Sequence, residues 1–90
     1  MIMKMRWLRD RRERRYWADL LTRSGMSPGR IRVRYIAHTA GECQVHCLDK
    51  TGGLDYQCLA RWVAVHKRLP ADSVRAGEAD GGFVMYSPGG

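Results

Sequence analysis

The chain holds no apolar stretch long enough to cross a membrane. Its apolar opening, MIMKM, is stopped at Arg6, before the apolar centre of a secretory leader could form. Cysteine is scarce and odd in number, at Cys43, Cys47 and Cys58. An odd count argues against a closed disulfide framework, so a reduced, cytoplasmic protein is expected. No C-x-x-C occurs and no internal repeat is apparent. The GGLD at Gly52–Asp55 lacks the Gly-Lys-Ser/Thr that would make it a phosphate-binding loop.

Acidic residues are short in one place. Residues 1–34 carry only Asp10, Glu13 and Asp19 against eleven Lys/Arg, a net +8, while residues 35–90 carry −1 of the overall +7. A positive field confined to the first third attracts polyanions, acidic protein surfaces or anionic lipid.

What is present is the composition of one small globular domain: 90 residues, 44% hydrophobic and 28% charged. A chain this short buries a smaller share of its surface than a larger one, so a compact core, a partner or a second copy must stabilise it. Residues 3–23 have no Pro or Gly and are rich in helix formers, with Gly25 placed to end a helix. Met3, Trp7, Trp17, Leu20 and Leu21 fall on one arc of that helix. Arg6, Asp10, Glu13 and Arg14 interrupt the arc in its middle, so its two ends read as anchored and its centre does not. The interruption also spoils a membrane-surface helix.

SGMSPG at 24–29 is a turn. RIRVRYIA (30–37) alternates and predicts a strand with Ile31, Val33 and Tyr35 on the buried face. HTAGE reads as a hairpin loop, with a capping box from Thr39 to Glu42 as the helical rival. ECQVHCL (42–48) predicts a second strand burying Cys43, Val45 and Cys47. Residues 54–69 predict a helix with Leu54, Cys58, Trp62, Val65 and Leu69 on one stripe, ended by Pro70. YQCLARWVAV reads alternatively as strand, which would make an N-terminal helix plus a small SH3-like barrel. Residues 70–81 read as loop, 83–87 as a short last strand, and the end as frayed. The expected fold is α+β, ordered α-β-β-α-β, with helices packed on a small antiparallel sheet.

The residues most suited to a partner are the arginines of RDRRERRYW (9–17). Nucleic acid presents closely spaced phosphates, and arginine adds a planar fork that pairs with phosphate and stacks on bases. In composition the segment resembles arginine-rich RNA-binding helices. Arg9, Arg11, Arg12, Arg15 and Arg23 would meet phosphate, with Trp7 or Tyr16 stacking on a base. The alternative is a solvated helix laced by the i,i+4 pairs Arg6–Asp10, Arg9–Glu13, Asp10–Arg14, Arg15–Asp19 and Asp19–Arg23. Arg11 and Arg12 have no acid at that spacing.

Arg30, Arg32 and Arg34 form a comb of like charges that repel unless something opposite lies across them. Asp10 and Glu13, on the unanchored centre of the first helix, are one candidate; a phosphate backbone or acidic partner is another.

Cys43, His46, Cys47, Cys58 and His66 would suffice for zinc by type, but four residues of strand separate Cys43 from Cys47 by ~13 Å. Cysteine as a small core hydrophobe is the simpler reading, and no metal or other cofactor is expected. A cysteine nucleophile with His38, His46 or His66 finds no support in spacing, so no enzyme is expected. The function expected is a small non-enzymatic nucleic-acid-binding protein, for DNA or RNA. The alternative is an inhibitor or adaptor docking its basic face on an acidic protein surface. That alternative shares size and charge with phage-encoded inhibitors of host defence. Self-association is a third option, given three Trp in 90 residues.

Overall fold

In the computed structural model, residues 2–89 are described, with side chains from Leu8 onward. Trp7, expected in the core and as a stacking residue, therefore lies outside the described side chains. The order is α1 (Ile2–Arg23), β1 (Ile31–Thr39), β2 (Glu42–Asp49), α2 (Tyr56–His66), β3 (Arg75–Ala79) and β4 (Gly82–Pro88). The four strands make one antiparallel sheet in the order β1-β2-β4-β3. The fold is α+β, and 56–66 is helix, so the barrel alternative falls. Among the described residues no helix is long and apolar enough to cross a membrane.

Both helices cover the same face of the sheet. Val33, Cys43, Val45, Cys47, Ala76, Phe83 and Met85 form one cluster with Trp17, Leu20 and Leu21 of α1 and Leu59, Ala60, Val63 and Ala64 of α2. The opposite sheet face carries Tyr35, His46, Tyr86 and Arg75, by register.

Two hairpins share one device. Thr39 pairs with Glu42 across Ala40-Gly41, and Ala79 pairs with Gly82 across Asp80-Gly81. Gly41 (φ 72°) and Gly81 (φ 71°) supply the positive φ that such two-residue turns need. The second hairpin corrects the reading of 70–81 as loop. RAGEA is poor in strand formers, so composition hid β3. Its signal was the Asp-Gly dipeptide beside FVMYS.

Three residues expected in the core are exposed, and Leu54 is half-buried outside the core cluster. The ladder between β1 and β2 slips between Val33 and Tyr35. The bulge inserts Arg34 and reverses the phase, so Tyr35 turns outward at 47% exposure and stacks on His46 with centroids 4.1 Å apart. On α2 the buried stripe is Leu59, Ala60, Val63 and Ala64, about a residue round from the expected one. Alanines let the helix lie close to the sheet, and the larger side chains are turned to its flanks. Cys58 is exposed, Val65 is 68% exposed, and Trp62 is half-buried and stacked on His66. Asp55 caps this helix, its carboxylate accepting from Cys58 N at 3.0 Å.

Asp49, at the end of β2, ties the turn regions together. Its side chain accepts from Arg30 Nε (3.3 Å), Thr51 N (3.2 Å), Thr51 Oγ1 (3.3 Å) and Tyr56 Oη (3.4 Å). Burial pushes the carboxyl pKa up, and the hydrogen bonds from Thr51, Arg30 and Gly52 outweigh this, leaving it below the ordinary carboxylate value. The stabilisation is complete above the unfolded-state value of about 3.9 and is lost as pH falls through the folded-state value. Asp49→Asn should cost about 2 kcal/mol at neutral pH in urea unfolding, and the gap to wild type should shrink as acid titrates the Asp49 carboxylate in the folded protein. Gly82→Ala should leave little folded protein by circular dichroism. A Cβ there falls on the backbone of Cys47, Leu48 and Asp49, which no side-chain rotation relieves.

Candidate nucleic-acid interface

Helix α1 lies over β1, and its arginines divide to either side. Towards the start of β1, Arg11, Arg14, Arg15 and Ala18 face Gly29, Ile31, Arg32, Val33 and Lys50 across an open groove of about 480 Å³. Among the described residues five cations line this groove and no acid does. Among the described residues, Arg15, Arg32 and Lys50 have no side-chain partner. Arg14 Nε sits 3.0 Å from Asp10 Oδ2 without hydrogen-bond geometry, so that buried nitrogen remains unsatisfied.

Towards the β1–β2 hairpin, Arg9, Arg12, Glu13, Tyr16 and Trp17 face His38, Thr39, Cys43 and Lys67 across a second, larger opening of about 690 Å³. Tyr16 is exposed but is not a free stacking platform. It meets Trp17 edge-on at 5.9 Å, and Lys67 Nζ lies 5.5 Å from its centroid. Arg9 is paired with Glu13 at 3.3 Å. Arg12 and Arg23 are exposed and have no side-chain partner among the described residues.

Of the expected helix pairs, Arg9–Glu13 and Asp10–Arg14 form. Arg15–Asp19 and Asp19–Arg23 do not form among the described residues, and Arg6–Asp10 involves a side chain outside them. The comb is broken up rather than neutralised as a unit. Arg30 donates to Asp49 and to Gly52 O (2.7 Å). Arg32 joins the groove. Arg34, at the bulge, stands beside His46, whose pKa is lowered by burial and by that charge. Glu13 answers none of the three; its Oε2 lies 2.8 Å from His38 Nε2.

The sequence missed two contributors. Lys50 follows β2 in the chain yet reaches the groove because β2 pairs with β1. Tyr35 was assigned to the core, and only the bulge turns it onto the open sheet face. There the Tyr35–His46 stack shares the face with a separate pair two residues along the register, Tyr86 and Arg75, whose Cζ lies 5.5 Å from the Tyr86 centroid. Cys47 is a core residue whose thiol burial pushes up to about 12, which makes it inert.

Comparison of the chain with protein-family models, with curated proteins and with solved structures gives no match.

Proposed function

We propose that this protein binds nucleic acid through the cationic groove between α1 and the start of β1. The observation that carries the reading is a lining of Arg11, Arg14, Arg15, Arg32 and Lys50 with no carboxylate among them. Cations from a helix, a strand and a turn converge here, Asp10 pairing with Arg14, and Arg15, Arg32 and Lys50 have no side-chain partner among the described residues, so like charges repel at a cost in stability. A phosphate backbone relieves that repulsion and releases its own counterions. Four of the five are arginines, whose planar forks suit phosphate in two-point contacts.

Single strands fit the surface better than duplexes. By register Arg32 and Tyr35 share the open sheet face, so a strand leaving the groove past Arg32 meets the Tyr35–His46 stack. Every base has a π-face, and aromatic stacking accepts bases with little regard to sequence.

The test is binding to labelled single-stranded and duplex DNA and RNA over a range of salt. Arg15→Gln, Arg32→Gln and Lys50→Gln combined should flatten the slope of log affinity against log salt by about 2 for single strands. Arg61→Gln with Arg68→Gln, away from the groove, should change it little. Tyr35→Ala should weaken single-strand binding roughly tenfold and leave duplex binding nearly unchanged. An unaltered slope in the groove variant overturns the reading. Loss of all binding at physiological salt transfers the groove to an acidic protein surface.

A further inference from the structure

Glu13, His38 and Cys43 bring a carboxylate oxygen, an imidazole nitrogen and a thiol sulfur within 4.8 Å of one another. They come from α1, β1 and β2. His38 and Cys43 are direct partners in the β1–β2 ladder, on the face that the helices cover. Glu13 reaches down from the centre of α1, where the apolar arc of the helix is broken. None of the three is adjacent to another in sequence, and only the bulge at Arg34 turns His38 inward beside Cys43.

We propose that Glu13, His38 and Cys43 form a zinc site with three protein ligands and a fourth position open to the larger cavity. The donor set selects the metal. Calcium and magnesium take oxygen ligands almost throughout. Thiolate and imidazole together suit zinc, and a carboxylate completes a mixed tetrahedral set. Bond lengths of about 2.0–2.3 Å put neighbouring zinc ligands roughly 3.5 Å apart, so 4.8 Å closes by small side-chain rotations. The ion displaces the Glu13–His38 hydrogen bond and takes both groups as ligands.

Charge also balances. Two anionic ligands offset the ion. The rim of the same cavity carries Arg9, Arg12 and Lys67 against Glu42, with Arg9 paired to Glu13, and this net positive rim favours water or an anionic oxygen in the fourth position. Ser87, paired with Cys43 from the β4 side, is buried with a hydroxyl that finds no partner among the described residues.

A cysteine nucleophile served by His38 and Glu13 is the competing use of the same atoms. The convergence of oxygen, nitrogen and sulfur donors from three separate elements on one point favours an ion over that use. The zinc site stands independently of the nucleic-acid reading, since it uses a different side of α1.

The experiment is calorimetric titration of chelator-stripped full-length protein with Zn²⁺, with Co²⁺ as the optical probe. Expected are one ion per chain, a thiolate-to-cobalt charge-transfer band, and a rise in melting temperature with Zn²⁺. His38→Gln and Glu13→Gln should each weaken binding at least tenfold, and Cys43→Ser should abolish the charge-transfer band. Cys58→Ser, at the exposed cysteine, should bind as wild type does. His38 and Glu13 are partly exposed, so their metal-free variants should melt close to wild type; this separates lost ligation from lost folding. Absence of saturable binding, or binding unchanged in His38→Gln, overturns the proposal.

Discussion

One extra residue in an edge strand sets much of this molecule's surface. The slip between Val33 and Tyr35 leaves Arg34 unmatched and exchanges the two faces of β1 along its second half. Before the bulge Val33 packs inward. After it Ile36 and His38 take the inner positions, and Tyr35 faces out against His46. Without the bulge, His38 would point away from α1, and Glu13 would meet no counterpart on the strand. The stacked aromatic pair on the open face and the Glu13–His38–Cys43 cluster beneath the helix are thus consequences of one register shift.

The second constraint is charge. The centre of α1 cannot pack as an apolar helix, because Asp10, Glu13 and Arg14 occupy the arc that would face the sheet. The helix instead anchors through Trp17, Leu20 and Leu21 and uses Glu13 as a polar foothold on β1. The remaining arginines fall to both sides. One side gains Arg32 and Lys50 and becomes a groove of one sign. The other gains Lys67 and encloses the acidic and sulfur-bearing cluster. A single basic helix therefore serves two chemically different openings.

Asp49 shows how a buried acid organises the end of the sheet opposite the hairpin tip. Its carboxylate draws Arg30 away from the comb and holds Thr51 and Tyr56 close, so the turn after β2 leads directly into the capped start of α2. Of the three arginines of the comb, the one nearest this acid, Arg30, becomes structural and Arg32 is left to the groove. That partition depends on which acid the folded chain places within reach, and neither Asp10 nor Glu13 is that acid.

The sequence by itself determined the α+β class, the basic helix ended at Gly25, the Ala40-Gly41 hairpin and most of the core of α1, β1 and β2. These follow from local periodicity and turn chemistry, which act over a few residues. It also located the positive field, because net charge is a property of composition. Strand β3 escaped because Arg75–Ala79 forms a strand only by pairing with β4. The α2 stripe was misplaced by a fraction of a turn, because close approach to the sheet favours Ala60 and Ala64 over the larger side chains that dominate a hydropathy pattern. The bulge, the inclusion of Lys50 in the groove, and the meeting of Glu13, His38 and Cys43 were decided only by tertiary structure. Each depends on register and packing between segments distant in the chain, and no local rule of spacing carries that information.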